Sequence, residues 1–290
     1  MHAPLPFNQP VQRAAFFSAI AAAFLTLMKV IVGIQTNSLG ILAEAAHSSL
    51  DLVAALITFW AVKLSSKPAD EDHHFGHGKI ENFAAICETL LLWATCCWIV
   101  WEAMQRITGK AHPEIEASFW GFAVIIVSII IDVNRSAQLG RIAKEHSSPA
   151  LAADALHFQS DIYSSCAVLI GLVACKLGFP WADTAAALMV AAWTFYVGSQ
   201  LAKESFDQLL DKAPTGVDEQ ILELIRNITD IKVVSSLKVR QSGPQTFINL
   251  TIGLDKTMSF EKAHSITEDI ENLIHKSFPR STVVIHAEPI

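Results

Sequence analysis

Six long, mostly apolar runs occupy the chain up to about Leu210, and they constrain the fold more than any other feature of the sequence. They cover residues 14–33, 39–64, 82–107, 118–139, 151–177 and 181–201. A helix needs about 20 apolar residues to cross the ~30 Å hydrocarbon layer, where backbone polar groups must be satisfied internally. Each run ends at a chemical break: Gln35-Thr36-Asn37-Ser38, the charged stretch 67–79, Lys110-Ala111-His112-Pro113, the stretch 144–149, and Gly178-Phe179-Pro180. With 52% hydrophobic and 17% charged residues, the chain is too apolar for a soluble protein of 290 residues. The expectation is a six-transmembrane-helix bundle over residues 1–210, followed by a soluble domain over 211–290.

Basic residues near the run ends set the expected orientation. Arg13, Lys63, Lys67, Lys79, Arg135, Arg141, Lys144 and Lys203 fall on one side, and Arg106, Lys110 and Lys176 on the other. The richer side should be cytoplasmic, which places both termini in the cytoplasm of a cell-membrane protein. Trp60, Trp101, Trp120 and Trp181 near run ends fit an aromatic belt against lipid. Residues 1–10 hold three prolines and no basic cluster, so the first run is expected to remain as a span rather than be cleaved as a signal. A net charge of −7 argues against nucleic acid as a partner. Cys87, Cys96, Cys97, Cys166 and Cys175 lie within apolar runs without a Cys-x-x-Cys pair, so they read as small packing residues.

After the polar linker Asp211-Lys212-Ala213-Pro214-Thr215-Gly216 the pattern changes. Ile221, Leu224, Ile225 and Ile228 predict a helix over 217–228. Residues 233–240 and 246–254 predict paired strands around Ser242-Gly243-Pro244. Ser259 is placed to cap a helix reaching Lys276, with Ala263, Ile266, Ile270, Leu273 and Ile274 inward, before a last strand at 281–286. The order αββαβ predicts a two-layer, ferredoxin-like α+β domain small enough to gain from pairing with a second copy.

The chemistry is concentrated in the second and fifth runs. Glu44-x-x-His47-x-x-x-Asp51 and Asp154-x-x-His157-x-x-x-Asp161 share one form. On a helix, residues i and i+4 project from one face, so each His and Asp form a pair on a single stripe. Ionisable groups at membrane depth are costly and mark pathways or partners. One such pair could be a structural polar contact between helices; the repeat in a second run favours a shared site. Two imidazoles and two carboxylates suit tetrahedral zinc, and without thiolate they could also accept cobalt, nickel, iron or manganese. Glu44 and Asp154 read as entrance charges or outer partners of the ligands.

Asp70, His73 and His77, within Asp70-Glu71-Asp72-His73-His74-Phe75-Gly76-His77, are a second candidate cluster, in a loop that could also be simply solvated. His264, His275, His286 and Glu288 in the soluble domain are a weaker one. Lys29 is expected to snorkel to an interface, and Glu88 and Asp132 to face the bundle interior.

These residues resemble the cation diffusion facilitator family of metal-ion/proton antiporters, of the bacterial ferrous-iron/zinc efflux type. Further stretches that carry the resemblance are Ser38-Leu39-Gly40, His74-Phe75-Gly76-His77-Gly78-Lys79, Trp181-Ala182-Asp183 and Ala263-His264-Ser265-Ile266-Thr267. The resemblance implies a homodimer in the bacterial inner membrane that exchanges a divalent metal, Zn2+ first, for protons. It assigns His47, Asp51, His157 and Asp161 to the transport site, and Asp70, His73 and His77 to a loop site. It makes Lys79 and Asp211 an inter-subunit charge interlock. It also implies metal ligands at His264, His286 and Glu288, although Ser235 and Thr251 stand near positions where the family pattern has further histidines. Mn2+, Fe2+, Co2+ or Cd2+ as the main ion, an intramembrane metallohydrolase, and a membrane-anchored metal sensor are the rival readings. Four ligands in symmetric pairs leave no open position for a catalytic water, and the chain lacks His-Glu-x-x-His, so it is not read as an enzyme.

Overall fold

The computed structural model describes residues 9–36, 39–108, 119–176 and 182–290. Ser38, Lys110 and Trp181, and the side chains of Glu44, Arg106, Trp120, Cys175, Lys176 and Asp183, lie outside what is described. The chain divides into two compact units, Met1–Ser205 and Phe206–Ile290.

The first unit is built from long helices: α1 (Gln9–Thr36), α2 (Leu39–Ser65), α3 (Lys79–Ile107), α4 (Phe119–His146), α5 (Pro149–Lys176) and α6 (Ala182–Leu209), the last of which runs into the second unit. They coincide with the six apolar runs, but α4 and α6 continue about two turns beyond 139 and 201. The residues there are mostly polar but helix-compatible, Gly140 included, and helix ends beyond an apolar run have their backbone groups satisfied by water. Among the described residues, four segments are long and apolar enough to cross a membrane: Pro10–Gln35, His47–Ser65, Lys79–Gln105 and Thr184–Leu209.

The packing is inverted relative to a soluble protein. The interior is made of small residues, including Ala15, Ala61, Ala84, Ala143, Ala150 and Ala155 around Leu151 and Phe158. The large apolar side chains, such as Phe17, Phe24, Trp98, Met189 and Trp193, point outward. Small residues let helix backbones approach closely where lipid, not water, surrounds the bundle.

The second unit places α7 (Val217–Ile225) and α8 (Phe260–Ser277) with a three-stranded sheet in the order β1 (Val233–Ser242), β2 (Gln245–Leu254), β3 (Ser281–Pro289). β1 and β2 are antiparallel, and β2 and β3 are parallel with α8 as the crossover. The expected element order is therefore present, with the last strand three residues longer than 281–286. The hairpin loop is only Gly243-Pro244, since Ser242 pairs with Gln245. Gly243 has φ 55°; Pro244 cannot follow with positive φ, so the turn needs glycine at its first central position. Ile248, Leu250, Ile252 and Leu254 alternate inward along β2 and meet Ile266, Ile270 and Ile274, one turn apart on α8. Ser259 caps α8 as expected, accepting the Lys262 backbone N–H at 3.3 Å.

Candidate metal centre

His47 and Asp51 sit one turn apart on α2, and His157 and Asp161 one turn apart on α5. The two stripes face each other. His157 Nε2 lies 3.1 Å from Asp51 Oδ1 and 3.8 Å from Asp161 Oδ2. His47 Nε2 lies 3.8 Å from Asp161 Oδ1. Ligand atoms of His47, Asp51 and Asp161 all fall within 4.8 Å of one another. His157 is buried and the two carboxylates nearly so, while His47 is 40% exposed, so the cluster opens at His47.

Polar pins from neighbouring helices hold α5 in place. Ser18 of α1 donates to Asp154 Oδ2 at 2.8 Å. Ser136 of α4 donates to the Ala155 carbonyl at 3.0 Å. Ser160 and Thr194 of α6 are hydrogen-bonded at 3.2 Å. Asp154 is completely buried, which does not suit an entrance charge and leaves the reading as an outer partner of the ligands.

Two further expectations are corrected. Lys29 does not snorkel: it is buried and its Nζ donates to Ser48 Oγ at 2.7 Å. The α1–α2 contact gives its ammonium an interior acceptor in the Ser48 hydroxyl. Arg135, counted among the flanking cations, is also buried. Its Nη1 lies 3.4 Å from Asp132 Oδ1, its Nη2 donates to Ser18 Oγ at 3.0 Å, and its guanidinium lies 3.5 Å from the Phe158 ring centroid. The i,i+3 spacing of Asp132 and Arg135 was the available signal for that pairing. Glu88 does face the interior, fully buried and hydrogen-bonded by Thr58 of α2.

In the loop after α2, Asp70 Oδ1 accepts the backbone N–H of His73 at 2.7 Å and of Asp72 at 3.1 Å. Its two oxygens also lie 3.2 Å from His73 Nδ1 and 3.4 Å from His77 Nε2. The His73 and His77 rings are 4.4 Å apart. Gly76, at φ 74°, makes the reversal that returns His77 to Asp70. Asp70, His73 and His77 thus form a second group of ligand atoms within 4.8 Å.

The C-terminal residues are more dispersed. His264 lies 3.5 Å from Glu268, His275 lies 3.5 Å from Glu271, and His286 lies 3.9 Å from Glu288. Among the described residues, His264, His286 and Glu288 do not form a three-ligand group of the kind seen at the other two clusters. Ser235, at the bulge of β1, donates to Glu288 at 3.4 Å. Asp211, in a left-handed turn after α6, accepts from Arg240 at 3.2 Å within the second unit.

Residues 15–210 match the cation efflux transmembrane domain, and residues 214–290 match the cytoplasmic domain of cation efflux proteins. The chain is 30% identical over 285 residues to the cation-efflux pump FieF of Cronobacter sakazakii, covering 98% of this chain and 94% of that one. It is 31% identical over 281 residues to the FieF of Serratia proteamaculans, covering 96% and 93%. Across both its helical unit and its C-terminal domain, this chain belongs to the cation efflux family of cation diffusion facilitators.

Proposed function

We propose that this cation efflux protein exports Zn2+ from the cytoplasm in exchange for protons, with His47, Asp51, His157 and Asp161 as the transport site. The observation that carries the reading is the meeting of two His–Asp stripes from α2 and α5, with His157–Asp51 at 3.1 Å and His47–Asp161 at 3.8 Å across the two helices. Two nitrogens and two carboxylate oxygens match a four-coordinate zinc site and accept Fe2+, Co2+, Mn2+ or Cd2+ less selectively. Metal binding requires neutral imidazole and ionised carboxylate, so metal and protons compete for the same atoms. An acidic outer face then favours metal release and proton loading, and return of protons drives export.

In this reading all six long helices span the inner membrane, with both termini cytoplasmic and lipid against the outward aromatic and aliphatic side chains. Asp70, His73 and His77 hold a second, cytoplasmic metal ion. The domain over 211–290 dimerises and regulates, and Lys79 and Asp211 form the charge interlock between subunits. His264, His286 and Glu288 serve at most as a reduced metal site. Zinc flux into proteoliposomes under a pH gradient tests the proposal, with His47→Ala and Asp161→Ala alongside. Zinc-led flux coupled to opposite proton movement and lost in the variants is expected. Proton-coupled flux led by manganese or iron would overturn the zinc assignment, and undiminished flux in both variants would overturn the site.

A further inference from the structure

Lys29 lies inside α1, two turns from its end, and is 6% exposed. Its Nζ donates to Ser48 Oγ, on the residue that follows His47. Thr26, three residues earlier on α1, donates to the Ser48 carbonyl at 2.8 Å. These two bonds fix the register of α1 against α2 and hold the ammonium at the residue next to His47. The nearby Asp132 of α4 is paired with Arg135 at 3.4 Å.

A cation beside a cation site opposes binding, and a buried ammonium is costly to keep in a membrane. The balance differs between the two states of the site. Without metal, Asp51 and Asp161 face each other across a few ångströms in a poorly screened interior, and a fixed positive charge offsets their repulsion. With metal bound, the same charge repels the ion and eases its departure.

We propose that Lys29 is a built-in counter-cation for this site, keeping the empty carboxylates in register and weakening metal binding enough for release. The inference rests on the reading of His47, Asp51, His157 and Asp161 as the transport site. Lys29 is a positioning residue that acts by its charge beside the site, held there by Ser48, and touches no metal itself.

The test measures zinc affinity and zinc flux on the full-length protein in an Asp70→Ala background, so that the loop cluster does not add a second zinc isotherm. At an effective interior dielectric of about 20, removing a unit charge several ångströms from a divalent ion changes its affinity by at least about tenfold. Lys29→Met is therefore expected to bind zinc at least about tenfold more tightly than its parent, with maximal flux lowered by a similar factor. Lys29→Arg should restore both. Lys29→Gln, which keeps a donor for Ser48, should shift affinity in the same direction and serves if Lys29→Met does not fold. Lost packing alone would weaken binding, so unchanged or weaker zinc affinity in the neutral variants overturns the proposal. An Asp161→Ala control separates the two claims. Parent-like affinity there removes the transport-site assignment and the Lys29 role together; lost affinity there, with no tightening in Lys29→Met, removes the Lys29 role alone.

Discussion

His157 presents its Nε2 to Asp51 and Asp161, while its buried Nδ1 has no hydrogen-bond partner among the described residues. The imidazole is therefore oriented mainly by the carboxylates it faces. Asp51→Asn keeps the shape of the site and removes one of the two charges that a divalent ion needs. Zinc affinity should fall by more than the ~10–100-fold typical of outer partners of metal ligands, with the thermal midpoint little changed; calorimetric titration checks both. At the loop cluster, the His73 backbone N–H comes first among the groups that hold the Asp70 carboxyl below the ordinary carboxylate range, followed by the His73 ring, the Asp72 N–H and the charge of His77. A depressed folded value means the stabilisation of this turn is fully present above the ordinary value of 3.8 and is lost as pH falls through the folded one. A carboxyl-carbon NMR titration of Asp70 should show a midpoint below 3.8; a midpoint at or above it would contradict the hydrogen-bonded turn.

The two helices that carry the ligands are also joined through a third. Glu81, in the first turn of α3, is buried and accepts from Ser65 at the end of α2 at 2.8 Å. Its other oxygen accepts from Ser148, which precedes α5 and takes the Leu151 N–H at 3.4 Å. One carboxylate thus links the ends of α2, α3 and α5, and the helix N-terminus favours its charge. Glu81→Ala should cost about 1–3 kcal/mol, since the buried Ser148 hydroxyl loses its acceptor and the half-buried Ser65 hydroxyl keeps only the Val62 carbonyl. A thermal melt in detergent measures this, and zinc affinity should weaken in parallel as the α2–α5 approach loosens. In the C-terminal domain the equivalent element-level contact is apolar. Ile270, fully buried, packs α8 on the sheet, and Ile270→Ala should destabilise that domain by about 2–5 kcal/mol. Faster amide exchange in β1, β2 and β3 of the full-length protein would register it.

The two units solve the burial problem in opposite ways. In Met1–Ser205 alanines and other small residues form the interior and aromatic rings cover the outside. In Phe206–Ile290 aliphatic side chains form a conventional core between helices and sheet. That core is small, and domains of this size gain stability from association. The proposed homodimer predicts a two-subunit species by native mass spectrometry from detergent or nanodiscs. A monomer persisting over all accessible concentrations would count against it.

Helical and strand periodicity made much of this legible in the sequence. The i,i+4 spacing of His47 with Asp51 and of His157 with Asp161 follows from 3.6 residues per turn, whatever surrounds the helix. Ile248, Leu250, Ile252 and Leu254 had to share a face for the same local reason, in strand geometry. The extra turns of α4 and α6 were not visible, because hydropathy marks where an apolar run ends and not where a polar continuation of the helix does. Nor could spacing say that Lys29 and Arg135 turn inward, that Asp154 is sealed from entry, or that Glu81 gathers serines 16 and 67 residues away. Positions along one helix are set by backbone geometry, which sequence carries directly. Which stripe meets which, and whether a charge finds its partner inside the bundle or at its surface, depends on contacts between segments far apart in the chain, and only the packed structure decides it.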